Sequence, residues 1–93
     1  MPRLSHVLTL ALALSAGAAY ADPPSAKTRE KALVLFETSD KAYKAGKFEQ
    51  AARLLRQAYA LHPEPLLLYN LGRAQEGLGD VPGAIASYEK YLT

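Results

Sequence analysis

Gly46-Lys47-Phe48-Glu49-Gln50-Ala51 and Gly79-Asp80-Val81-Pro82-Gly83-Ala84 are the same punctuation written twice. Gly46 stands above Gly79, Phe48 above Val81, Ala51 above Ala84 and, four residues on, Leu55 above Tyr88, each pair 33 residues apart. A repeat of about 20 to 50 residues points to an array of stacked supersecondary units, none of which buries its apolar face alone. What those units are follows from the stretches on either side of each glycine.

The apolar positions in all four stretches recur at helical spacing. They are Ala32, Leu35, Phe36, Ala42 and Tyr43 in the first and Phe48, Ala51, Ala52, Leu55, Ala58 and Tyr59 in the second. In the third, Leu68, Leu71, Gly72, Gln75 and Leu78 share a face, and in the fourth Ala84, Ile85, Tyr88, Tyr91 and Leu92. Steps of three and four residues describe amphipathic helices, and no stretch alternates like a strand. Gly46 and Gly79 sit where a helix C-terminus favours positive φ. Asp80 can cap the fourth helix, with Pro82 tolerated in its first turn. Pro63 ends the second helix and Pro65 can open the third. The spacing predicts helices near 27–45, 48–61, 65–78 and 81–92.

Two helical hairpins with these residues resemble tetratricopeptide repeats. In the second unit the family's pattern is matched by Leu68, Leu71-Gly72, Gln75, Gly79, Ala84, Tyr88 and Tyr91. In the first it is matched by Leu35, Thr38-Ser39, Ala42, Gly46, Ala51, Leu55, Ala58 and Pro63. Thr38-Ser39 in place of Leu-Gly, Gln75 and Tyr91 are departures. The resemblance implies an all-α fold, a short right-handed α-solenoid of two helix-turn-helix hairpins, with repeats at approximately 32–64 and 65–93. Small residues at Gly72, Ala51 and Ala84 let helix backbones approach, while Leu35, Leu55 and Tyr88 fill the space beside them.

The resemblance also implies a partner groove lined by the first helix of each unit. Carried over residue by residue, the lining is Leu33, Phe36, Asp40 and Tyr43, followed by Leu66, Tyr69, Asn70, Arg73 and Glu76. Asn70 coincides with an asparagine that some members use to hold a peptide backbone. Phe36 and Asp40 replace the lysine and asparagine that pin a C-terminal carboxylate in those members, so a basic or apolar segment is the expected ligand. The expectation is a non-catalytic scaffold for a protein or peptide partner.

The N-terminus has the layout of a secretory signal peptide: Met1-Pro2-Arg3, an apolar run from Val7 to Ala19, then Ala19-Tyr20-Ala21 before Asp22-Pro23-Pro24. This divides the chain into a signal peptide, 1–21, a flexible linker, 22–26, and a tetratricopeptide-like domain, 27–93. The apolar run is shorter than the ~20 residues a spanning helix needs. After cleavage no transmembrane helix is expected, and the protein belongs in the periplasm or cell envelope of a Gram-negative bacterium. Nothing else in the composition suggests an unusual class: hydrophobic residues make up 49% and charged residues 22%, which is globular usage.

With no cysteine, disulfide scaffolds, zinc ribbons, thiol nucleophiles and lipidated cysteines are excluded. Past residue 21, His62 is the only histidine, too few for a zinc site; it suits a helix C-terminus instead. No arrangement of residues suggests catalysis, and no cofactor is expected. The formal charge of +2 is too small to argue for nucleic acid. Charge is uneven, however: residues 22–56 carry eight basic and five acidic side chains, residues 57–93 two and four. Solenoids of this kind normally cover their last apolar face. Ile85, Tyr88 and Leu92 would have no following helix, so a homo-oligomeric contact there, or a longer parent chain, is the alternative expectation.

Overall fold

The computed structural model describes residues 22–93; the expected signal peptide, 1–21, lies outside them. Four helices follow one another: α1 (Ala26–Lys44), α2 (Phe48–Leu61), α3 (Pro65–Leu78) and α4 (Val81–Leu92). Each packs on the next, α1 on α2, α2 on α3 and α3 on α4, so two hairpins stack as a short α-solenoid. The boundaries lie within a residue of those read from spacing.

Local chemistry accounts for each end. Ser25 caps α1, its Oγ accepting the Thr28 N–H at 3.1 Å, so of the expected linker 22–26 Ala26 lies in the helix and Ser25 is its cap. Gly46 and Gly79 adopt φ of 77° and 76°, a left-handed conformation that costs other residues a steric clash. The Asp80 side chain accepts the Gly83 N–H at 3.1 Å, and Pro65 opens α3. His62 follows α2 in extended backbone, its Nε2 2.9 Å from Glu64 Oε1. The histidine expected in the last turn of α2 therefore faces an acid across the connection.

The core is made of small side chains. Ala32, Ala42, Ala51, Ala52, Ala58, Ala74 and Ala84 are buried, with Leu55, Leu67, Leu68 and Leu71 between them. Alanine at a crossing brings helix axes close, and the large rings lie beside the crossings. A Cβ placed on Gly72 would lie 2.5 Å from the Tyr88 ring, and one on Gly77 would lie 2.6 Å from Phe48. Gly77 is a packing position that the repeat pattern leaves unmarked. Phe48 also meets Tyr43 edge-on, with ring centroids 5.2 Å apart.

Three departures from the repeat pattern acquire reasons. Ser39, where the second unit has Gly72, is buried and turns its hydroxyl onto the Phe36 carbonyl at 2.6 Å. Gln75 is buried because Ser87 donates to its Oε1 at 2.6 Å, matching one polar group with another. Tyr91, where the first unit has the fully buried Ala58, lies against Tyr69 with centroids 5.6 Å apart. Leu78, expected on the buried face of α3, is instead 46% exposed, since it is the last residue of that helix.

The Gly72–Tyr88 contact makes a signed prediction. Alanine favours a helix over glycine by about 1 kcal/mol, but overpacking a fitted crossing costs about 1–3 kcal/mol. Gly72→Ala is expected to lower the urea midpoint of unfolding. In a Tyr88→Ala background, where the ring is gone, the same substitution is expected to raise it.

Candidate functional site

Two depressions between α1 and α3 hold seven of the nine expected lining residues, Leu33, Phe36 and Leu66 in one and Phe36, Asp40, Tyr43, Asn70 and Arg73 in the other, while Tyr69 and Glu76 line neither. They do not form a uniform groove. Leu33, Phe36 and Leu66 wall a depression of about 240 Å³ near the start of both helices, floored by Ala32 and Leu67. Its rim carries Arg29, His62 and Glu64, none of which was among the expected residues. Arg29 lies one helical turn before Leu33 and could have been found by extending the period. His62 and Glu64 sit in the α2–α3 connection, where no period applies.

Midway along the face the groove is bridged. The Arg73 guanidinium lies 4.8 Å from the centroid of the Tyr43 ring and donates to the Tyr43 hydroxyl at 3.3 Å. This cation–π contact joins α3 to α1. Beneath it Phe36, Asp40 and Asn70 enclose a gap of only about 20 Å³. Asp40 pairs with Lys44 at 2.8 Å. The Asn70 amide donates one N–H to the Leu66 carbonyl within its own helix at 3.1 Å, which leaves its second N–H and its carbonyl oxygen for a peptide.

Toward α4 the face is aromatic. Tyr69 packs on Tyr88 and Tyr91, with centroids 5.8 and 5.6 Å apart, and Glu76 accepts the Tyr88 hydroxyl. Tyr88 therefore does not join the expected C-terminal interface. Its ring is drawn inward over Gly72, because that glycine leaves room for it. Ile85 and Leu92 remain at 51% and 79% exposed, joined by Val81 at 59%.

Two stacked hairpins, glycine-punctuated and crossing on alanine and glycine, with a concave face on the first helix of each, are the geometry of one family. A family model described as a tetratricopeptide repeat matches residues 36–93. The chain belongs to the tetratricopeptide repeat family. No curated protein and no solved structure matches it. Tetratricopeptide repeat domains mediate protein–protein contacts, and the matched span contains every expected groove residue except Leu33.

Within this repeat chain one side chain has a displaced acidity. Burial first, then the hydrogen bond to Glu76 and the charge of that carboxylate, raise the Tyr88 phenol from 10.0 to about 12. All three oppose ionisation. Between those pH values the folded chain holds a proton that the unfolded chain releases, so stability is full below about pH 10 and falls as pH rises toward 12. In an alkaline titration followed by tyrosine absorbance, one ring is expected to ionise last. Glu76→Gln is expected to advance that last step, whereas Asp40→Asn, at the other end of the face, should leave it in place.

Proposed function

We propose that this tetratricopeptide repeat chain is a non-catalytic scaffold of the periplasm or cell envelope of a Gram-negative bacterium, receiving an extended polypeptide segment on the α1/α3 face. One observation carries the reading. Leu33 and Leu66 stand 53% and 55% exposed and line a depression of about 240 Å³ between α1 and α3, with Tyr69, 40% exposed, one turn further along α3. Apolar area of this kind, set beside fixed polar groups, is what peptide grooves offer. The export reading is supported by the charged start, apolar run and Ala19-Tyr20-Ala21 of the N-terminus.

A second reading has an observation of its own. Val81 and Ile85 occupy the places in α4 that Phe48 and Ala52 occupy in α2, where α3 covers them. Ala52 is 1% exposed and Ile85 51%. A second copy seated on α4 would make the protein a self-associating structural subunit. Concentration-dependent sedimentation abolished by Ile85→Lys would favour that reading, and a monomer at all concentrations would remove it.

The groove is tested by selecting binders for the full chain from a random peptide display library. Binders are expected to lose at least about tenfold in affinity on Leu66→Lys, the order of one buried apolar side chain, with helical melting unchanged. A library yielding no binder, or binders indifferent to Leu66→Lys, would refute the groove. A reporter enzyme active only outside the cytoplasm, fused after Thr93, is expected to be active; inactivity would refute export.

A further inference from the structure

Arg29 lines the depression, and Arg73 lines the neighbouring gap that shares Phe36 with it, so a guanidinium group belongs to each. Both are already held in place. Arg29 donates to the Pro24 carbonyl at 2.6 Å, and Arg73 rests on Tyr43. Among the described residues neither makes an ion pair.

The acids of this face each have a partner too, though only Asp40 faces a permanently charged one. Asp40 pairs with Lys44, Glu64 contacts His62 and Glu76 accepts the Tyr88 hydroxyl. A cationic ligand would have to compete for carboxylates that already have partners. An anionic one would find two guanidinium forks with N–H groups to spare, each able to grip a carboxylate with two parallel bonds. Because both forks are anchored before binding, less side-chain freedom is lost when they engage.

We infer that the depression seats one large apolar side chain of an acidic protein segment, whose carboxylates on either side of that anchor pair with Arg29 and Arg73. This rests on the groove reading above; of the basic or apolar segment expected from the sequence it keeps the apolar anchor and makes the flanking residues acidic. Both pairs would lie at the surface, so they contribute selectivity and salt dependence more than affinity.

The experiment compares short fluorescein-labelled peptides with a central leucine flanked by aspartates, by lysines or by serines, titrated with the full chain by fluorescence polarisation. The aspartate-flanked peptide is expected to bind tightest and to weaken steeply with salt. Arg29→Gln and Arg73→Gln are each expected to weaken it about two- to five-fold, as exposed ion pairs do, and to weaken the serine-flanked peptide less. Arg29 is exposed, so its variant carries the test if Arg73→Gln loosens the hairpin. Tightest binding of the lysine-flanked peptide, or aspartate-flanked binding indifferent to both arginines, overturns the inference. Failure of all three peptides, while display-selected binders still depend on Leu66, overturns the inference and leaves the groove standing; absence of any groove binder removes both.

Discussion

The missing Cβ atoms of Gly72 and Gly77 determine where everything else can sit. α3 packs between α2 and α4, and at these two positions a ring from each side lies on bare backbone: Tyr88 on Gly72 and Phe48 on Gly77. Close approach matters here because the core contains seven alanines and four leucines, and no large side chain in it is fully buried. Side chains that small make contact only if the helices nearly touch. The glycines permit that approach, the rings seal its flanks, and the alanines between then have neighbours to pack against.

Fixing α3 also fixes the concave face. With Tyr88 over Gly72, its hydroxyl reaches Glu76 and its ring supports Tyr69, so two groove residues are oriented from behind by a residue on α4. On the other side Phe48 braces Tyr43, and Tyr43 receives Arg73. Each aromatic or charged group on the face thus rests on a packing contact, and the buried Gln75–Ser87 pair keeps α4 in register with α3 without leaving a polar group unmatched. A face held this way is rigid, which suits recognition because little ordering remains to be done on binding.

The helices and their ends were legible in the sequence because their causes are local. A period of three and four residues, a glycine needing positive φ, and a proline at a first turn act within a few residues of themselves. Gly72 was legible for a different reason, since the repeat pattern marks it. Gly77 and Gln75 were not, because their meaning depends on partners, Phe48 and Ser87, that sit on other helices. The same holds at the site. Stepping along α1 and α3 finds Leu33, Phe36, Leu66 and Tyr69, but not that Asn70 turns its amide onto its own helix or that Tyr88 folds inward. His62 and Glu64 reach the rim from a connection, where no periodicity could have pointed.

The shape of the core bears on what the groove does for the protein. A core of seven alanines and four leucines buries little apolar area for each helix it joins. Leu33, Leu66 and Tyr69 leave further apolar area in solvent. A ligand covering them would add burial across α1 and α3, two helices that Tyr43 and Arg73 also join by a hydrogen bond. Binding at a hundred times its dissociation constant contributes about 2.7 kcal/mol, a large share of the 5–15 kcal/mol typical of a domain. On the proposed reading, a partner that buries Leu33 and Leu66 would therefore couple its own binding to the folding of the two hairpins.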